Sequence, residues 1–290
     1  MKTIPILMYH QVDDMPPSGA PLRGMTVSPQ RFAQHMRFLK TWGFQGLSMR
    51  DLEPYLNGSL SGRVVGITFD DGYANTHANA MPILRQFGFT ATCYAVSRHI
   101  GGHNHWDAAS GMATKALMDI SAWREWVAAD MDVGSHTCDH IDLSQSDEAT
   151  VRHQIQRSKS ELEQMLGTEV LHFCYPYGRF LPEHPAWVQQ AGYVSATTTQ
   201  RGRATSAQGP AAFTFSAGHT APSRTQVSMS LMTASAILPL GGILMSWSNF
   251  ITRRRRLASG FPGTTDGPLS PPLRRNSRLS TRKEDCCFLV

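Results

Sequence analysis

Two neighbouring carboxylates, Asp70 and Asp71, follow an apolar run, VVGITF, at residues 64–69. Like charges at adjacent positions repel, and removing either carboxylate from water is costly unless something compensates for it. A bound metal cation is the first candidate for that compensating charge. The stretch therefore predicts a buried strand that ends at a metal site.

Two histidines four residues apart, His136 and His140, lie in the segment DVGSHTCDH. On one helical turn this spacing puts both imidazoles on the same face. Two imidazoles and one carboxylate make a three-ligand site with an open position, the pattern of catalytic zinc. A solvated helix face is the alternative for such a pair alone, but its place at the end of a predicted strand favours the metal site.

A third candidate is the sequence Tyr-Pro-Tyr-Gly at residues 175–178, which follows another apolar run. Pro176 fixes its own φ and Gly178 permits unusual backbone angles, so the sequence predicts a tight turn. Such a turn can point a backbone N–H into a cleft as an oxyanion donor. The alternative is an ordinary turn that ends a strand.

Strand and helix patterns alternate along residues 4–199. Predicted strands cover residues 4–9, 64–69, 90–96, 132–136, 169–178 and 194–199, and predicted helices lie near residues 28–44, 81–87, 121–131, 146–166 and 182–193. Strands separated by helices indicate a parallel sheet or barrel. Chemistry in such folds lies at the C-terminal strand ends, where Asp70, Asp71, His136 and Tyr177 all fall.

The charge distribution divides the 290-residue chain in two. Residues 1–200 hold 15 basic and 19 acidic residues, whereas residues 201–290 hold 12 basic and 3 acidic ones, so the net charge of +5 comes from the last third. Strand–helix alternation also stops there. We therefore predict a domain at residues 1–200 and a divergent, basic tail of low order at residues 201–290.

Three features of this tail have alternative interpretations. The apolar stretch at residues 228–251, followed by four arginines, could span a bilayer, but Pro239 and many serines argue against stable insertion. The last four residues, from Cys287, match a prenylation box in form, and a chance match is the alternative. Nucleic-acid binding rests only on the basic tail, so no nucleic-acid partner is expected.

The five cysteines and the first residues bear on the compartment. No cysteines form a C-x-x-C pair, so neither a disulfide framework nor a zinc knuckle is indicated. The start, MKTIPILMYHQV, lacks the regions of a signal peptide and is typical of a first strand. A cytoplasmic location is the expectation.

Together these motifs carry a resemblance. T-F-D-D-G at residues 68–72, H-T-x-x-H at 136–140 and Y-P-Y-G at 175–178 resemble the polysaccharide deacetylases with the NodB homology fold, carbohydrate esterase family 4. The segments ILMYHQV and GGHNHWD look like the bacterial branch of that family. The resemblance covers residues 4–199. It implies an α/β fold, a deformed (β/α) barrel of about seven strands, and the change in character after residue 200 predicts that this barrel is incomplete at the C-terminus.

The resemblance also implies roles. Asp71, His136 and His140 would bind a divalent metal, usually zinc, and Asp70 would be the general base. The backbone N–H of Tyr177 would stabilise the oxyanion. The reaction implied is metal-dependent hydrolysis of N-acetyl groups from an N-acetylated sugar of a glycan or glycolipid.

Three departures from the family pattern matter, and one of them is that the late Asp/Trp motif of the family has no clear match. Cys174 stands where many members have an arginine that orients the base, and the final Leu-x-His motif, which supplies a general acid, is missing. His219 lies beyond residue 200 without the right context and is left unassigned. The alternative is therefore a degenerate member that binds metal or glycan with little turnover.

Four further side chains have two interpretations each. His10 could line the cleft or be a structural histidine. His103 and His105 could bind a second metal, but a polar loop is favoured, and Trp106 is a candidate for stacking on a sugar ring.

Overall fold

The structure, a computed structural model, describes residues 3–199 and the backbone of three short strands at 204–205, 214–216 and 218–219. The strands are β1 (Thr3–Ile4), β2 (Ile6–Tyr9), β3 (Gln11–Val12), β4 (Thr26–Val27), β5 (Gln45–Leu47), β6 (Val64–Phe69), β7 (Thr92–Ala95), β8 (Asp132–Ser135), β9 (His172–Cys174), β10 (Ser195–Thr198), β11 (Ala204–Thr205), β12 (Thr214–Ser216) and β13 (Gly218–His219). The helices are α1 (Pro29–Thr41), α2 (Met49–Leu56), α3 (Met81–Phe87), α4 (Ile120–Ala128), α5 (Glu148–Leu166) and α6 (His184–Gln190).

The central sheet is parallel and curled, as predicted. Its strands run in the order β12, β10, β9, β8, β7, β6, β2, β13, and β5 pairs with the first half of β6. Helices α3, α4, α5 and α6 each connect one strand to the next between β6 and β10. The C-terminal ends of β2, β6, β8 and β9 therefore lie along one edge of the sheet.

Strand β6 is buried along its whole length, at all six of its residues. A strand covered on both faces consists of apolar residues without alternation, which is why VVGITF is recognisable from sequence. Asp70 and Asp71 follow directly after it. The position of the carboxylate pair is thus set by a strand that is buried along its whole length.

The helix ends agree with the capping residues in the sequence. The Ser28 side chain accepts a hydrogen bond from the Arg31 N–H at the start of α1. The Asp147 side chain accepts one from the Thr150 N–H at the start of α5, and Gly167 ends that helix in a left-handed conformation. The predicted helices at these positions are confirmed.

Strand β5 and helix α2 are among the elements that the sequence did not predict. Strand β5 has only three residues, and Gly46 is required there because a Cβ atom would overlap the side chains of Ile67 and Phe89. Helix α2 is capped by Ser48 but carries Pro54 in its interior, which disfavours a helix by local propensity. Tertiary contacts decide both elements.

The sheet extends beyond residue 200, where the sequence analysis ends the domain. Strand β11 pairs with β1, β12 pairs with β10, and β13 pairs with β2. Strands β12 and β13 are one residue apart, so this short segment pairs with both edge strands of the sheet. Ladder pairing uses backbone groups, so a strand can form where the side-chain pattern is weak.

The rest of the predicted tail, including the apolar stretch at 228–251 and the C-terminal prenylation box, lies outside the described residues. Within the described part of the chain, no helix combines the length and apolar character needed to cross a membrane.

Candidate active site

Three predicted ligands, Asp71, His136 and His140, converge at the C-terminal edge of the sheet. The Nε2 atoms of His140 and His136 lie 3.2 and 3.5 Å from Oδ1 of Asp71. All three side chains are buried, with their ligand atoms within 4.8 Å of one another. Ligands about 2.0–2.1 Å from a tetrahedral ion lie roughly 3.3 Å apart, so the donor set and its spacing fit a divalent cation.

A loop, and not a helical turn, brings the two histidines together. Thr137 and His140 have φ angles of 71° and 55°, which no α-helix contains. The Thr137 hydroxyl accepts a hydrogen bond from the backbone N–H of His140 at 3.0 Å, which fixes the loop. The helical interpretation of the spacing is therefore wrong, although the predicted convergence of His136 and His140 is found.

The imidazole of His136 is oriented by a backbone carbonyl. Its Nδ1 lies 2.8 Å from the carbonyl oxygen of Cys174. A carbonyl can only accept, so Nδ1 carries the proton and Nε2 presents its lone pair toward Asp71. Burial, followed by the charge of His140, lowers the pKa of His136 to about 3. The ring is thus neutral and in the tautomer that a metal ligand requires.

The two adjacent carboxylates are in opposite electrostatic situations. Burial and then the charge of Asp71 raise the pKa of Asp70 well above its usual value. Burial alone would also raise the pKa of Asp71, but the hydrogen bond from His140, together with the charges of the nearby histidines, outweighs burial and holds that pKa below its usual range. A pair of carboxylates with divergent pKa values is typical of an acid–base site.

Two more side chains lie beside Asp70. Nε2 of His10 is 3.8 Å from Asp70 Oδ2, so His10 lines the site. Asp70, His136 and Cys174 form a second group whose ligand atoms lie within 4.8 Å of one another. Burial, followed by the charge of Asp70, raises the pKa of the Cys174 thiol well above its usual value. The thiol is therefore neutral and does not replace the positive charge of an arginine.

The predicted turn at residues 175–178 is present as a short 3₁₀ turn after β9. Tyr177 has a φ of 58°, and we find no hydrogen-bond acceptor for its backbone N–H in the described part of the chain. The Tyr177 side chain is 44% exposed, and its ring meets the His140 ring edge-on at 4.7 Å. Tyr177 thus lies directly beside His140, one of the three predicted ligands.

The loop after β7 brings Trp106 to the same place. The indole stacks on the His140 ring, with centroids 4.6 Å apart and planes 16° apart. His103 and His105 are exposed, and their rings lie 5.8 Å apart. Neither belongs to a group of three possible ligands among the described residues. The polar-loop interpretation of these two histidines stays a prediction.

Sequence reasoning left His219 unassigned, but the backbone places it near this edge. Strand β13 ends at His219, which is paired in parallel register with Met8 of β2. Strand β2 in turn pairs with β6, the strand that leads into Asp70. The signal that could have found this position is the short run of strand-forming residues before it.

A curled parallel β/α sheet with buried acid and imidazole groups at its C-terminal edge defines a class of enzymes, the (β/α) barrels whose loops at that edge hold the catalytic site. The family model described as polysaccharide deacetylase matches residues 57–196. The Bacillus subtilis protein YxkH, named as a polysaccharide deacetylase, is 31% identical over 71% of this chain and 68% of its own length. The chain belongs to the polysaccharide deacetylase family.

A further relative and a solved structure that resemble this chain are also named as deacetylases. The poly-β-1,6-N-acetyl-D-glucosamine N-deacetylase of Staphylococcus aureus is 24% identical, and the match covers 60% of this chain and 61% of that protein. The solved Streptococcus pyogenes deacetylase PplD, in complex with acetate, aligns with a TM-score of 0.67 and 25% identity over 79% of this chain and 97% of its own. IcaB of Ammonifex degensii, with a TM-score of 0.66 and 22% identity over 79% and 96%, supports the fold.

Proposed function

We propose that this chain is a metal-dependent N-deacetylase that removes acetyl groups from the N-acetylated sugars of a glycan. The observation that carries the proposal is the convergence of Asp71, His136 and His140 with Asp70 directly beside them. The N-acetylglucosamine polymer named for the Staphylococcus relative supports this substrate class. When bound at the three ligands, a divalent cation, in our proposal zinc, supplies Lewis acidity toward the acetyl carbonyl and toward water.

Asp70 is the general base in this proposal. Burial, and then the charge of Asp71, raise the pKa of Asp70. A general base works best when its pKa lies near the working pH, because it is then still ionised and also binds a proton well. His10, 3.8 Å from Asp70, borders the base on one side. Asp70 takes a proton from the water that attacks the acetyl carbon.

Tyr177 supports the proposal through its backbone. Its N–H has no acceptor among the described residues and belongs to a turn that a left-handed φ directs beside His140. A backbone donor that is free and fixed in place is suited to the negative oxygen of a tetrahedral intermediate. Its exposed aromatic ring lies beside His140, where our proposal places the sugar.

The alternative of a degenerate member without turnover gains no support from the site. The proximity of Asp70, the three proposed ligands and the Tyr177 turn supports turnover. Loss of the arginine at Cys174 changes the surroundings of Asp70 but removes none of these groups.

Acetate release from β-1,6-linked N-acetylglucosamine oligomers and from chitooligosaccharides tests the function. We expect the full-length protein to release acetate. It should lose this activity when a chelator strips the metal and is then removed by dialysis, and it should regain the activity when Zn²⁺ or Co²⁺ is added. The variant Asp71→Asn, treated identically, is the matched control and should not regain activity. Activity that is indifferent to chelation, or a metal-loaded protein that deacetylates no N-acetylated glycan, would contradict the proposal.

A further inference from the structure

His140 differs from His136 in how its ring is held. The Nδ1 of His136 donates to the Cys174 carbonyl, whereas the Nδ1 of His140 is buried and has no hydrogen-bond partner in the described part of the chain. Histidines that bind metals almost always donate their second ring N–H to a carboxylate, a carbonyl or water, and this bond sets the ring orientation. No such bond to a protein group holds the His140 ring in the described part of the chain.

Aromatic rings enclose His140 instead. The Trp106 indole lies parallel to the imidazole at 4.6 Å and 16°, and the Tyr177 ring meets it edge-on at 4.7 Å and 80°. Offset-parallel and edge-to-face contacts at these distances are the favourable arrangements of aromatic pairs. Together they restrict rotation of the imidazole about its Cβ–Cγ bond, which would swing Nε2 away from Asp71.

The loop that carries Trp106 is itself anchored. The buried side chain of Asn104 accepts a hydrogen bond from the Lys115 N–H at 2.7 Å and donates one to the Tyr73 hydroxyl at 3.2 Å. The indole Nε1 is buried and has no hydrogen-bond partner among the described residues. The contribution of Trp106 therefore comes from its ring face and not from its N–H group.

We propose that Trp106, through the stacking of its indole on the imidazole, is a positioning residue for the metal ligand His140, whose Nδ1 has no protein hydrogen-bond partner in the described part of the chain. This inference rests on the metal site of the proposed function. It differs from the sequence-based interpretation of Trp106 as a platform for sugar, since one face of the indole is occupied by His140 and His99 lies edge-on to the same indole at 5.2 Å.

Metal affinity is the direct test, because it needs no substrate. The metal-free proteins would be titrated with Zn²⁺ in competition with a chelating indicator. We expect W106L and W106M to bind about tenfold more weakly than the wild type, in the range for lost outer-shell support. The aromatic replacement W106F should remain within about threefold. W42L removes an exposed tryptophan at the end of α1 and should be unchanged.

Wild-type affinity in W106L or W106M would overturn the inference, and so would a W106F variant as weak as W106L. The His140 ring protons in the wild-type NMR spectrum provide a check that does not depend on any variant folding. They should be shifted upfield by the indole, and ordinary shifts would overturn the stacking. If the wild type binds Zn²⁺ with the expected pattern but releases no acetate from any N-acetylated glycan, the proposed function fails and the inference about Trp106 stands.

Discussion

Asp71 and His140 both have left-handed backbone conformations, with φ of 74° and 55°, and His140 Nε2 lies 3.2 Å from Asp71 Oδ1. Six non-glycine residues of the described chain have positive φ, and four of them belong to this site: Asp71, Thr137, His140 and Tyr177. Such conformations cost about 1–2 kcal/mol each. Their concentration here indicates that the surrounding structure holds strained backbone in order to aim ligand atoms and a backbone donor at one point.

The two neighbouring carboxylates should respond differently to the same substitution. Asp70→Asn removes the base but no ligand, so it should abolish acetate release while leaving Zn²⁺ affinity close to that of the wild type. Asp71→Asn should weaken Zn²⁺ binding as well, because it removes a ligand. Indicator competition and an acetate assay measure the two effects, and equal loss of metal in both variants would refute this division of roles.

Substitution of Cys174 tests which of the two possible ligand groups binds the metal. Asp71, His136 and His140 form one group, while Asp70, His136 and Cys174 form the other. If the first group binds the metal, Cys174→Ala should leave Zn²⁺ affinity within about twofold, whereas His140→Ala should reduce it strongly. The opposite order of losses, measured in the same titration, would assign the metal to the second group.

Gly178 and Gly167 provide a matched pair, since their φ angles are 67° and 65°. An alanine Cβ at position 178 would overlap Thr199, whereas nothing lies within 4 Å of the corresponding Cβ at position 167. Gly167→Ala should cost about 1 kcal/mol of unfolding free energy, from backbone strain alone. Gly178→Ala should cost about 2–4 kcal/mol, since overpacking adds to the strain.

The same pair tests the oxyanion donor. Gly178→Ala should also lower kcat, because it displaces the turn that carries the Tyr177 N–H, whereas Gly167→Ala should leave kcat unchanged. Urea unfolding and steady-state kinetics are the measurements. Equal stability losses in the two variants would show that the contact with Thr199 is not restrictive.

His35 predicts a pH dependence of stability that is unrelated to the active site. Burial, followed by the charge of Arg31, lowers the pKa of this histidine to about 4, and its Nδ1 lies 3.1 Å from the Tyr9 hydroxyl. The folded-state pKa is below the unfolded value of about 6.5, so the unfolded chain takes up the proton first as pH falls. The contribution is complete above about pH 6.5 and is lost between about pH 6.5 and 4.

The expected loss of unfolding free energy over this range is on the order of 3 kcal/mol. His35→Gln should flatten the dependence, and His153→Gln, a change at an exposed position of α5, should retain it. Urea denaturation at several pH values measures both. Identical slopes for the wild type and His35→Gln would show that His35 does not carry the effect.

Much of the fold was predictable because its elements have strong local patterns. The continuous apolar run of β6 and the capped, amphipathic α5 carry their structure in neighbouring residues. Strand β5 and helix α2 were not predictable, since Gly46 is explained only by Ile67 and Phe89 pressing against it. The pairing of β12 and β13 with the sheet depends on backbone ladders that the side-chain pattern does not reveal.

The sequence by itself determined the chemistry available to this protein: adjacent carboxylates at a strand end, two histidines four residues apart, and a Tyr-Pro-Tyr-Gly turn. These are properties of residue type and spacing. Only the tertiary structure decided that a left-handed loop aims His140 at Asp71, that the Cys174 carbonyl orients His136, and that Trp106 stacks on His140. Contacts between residues more than 30 positions apart depend on how the strands assemble into the sheet. A pattern of neighbouring residues does not encode which distant residues will meet.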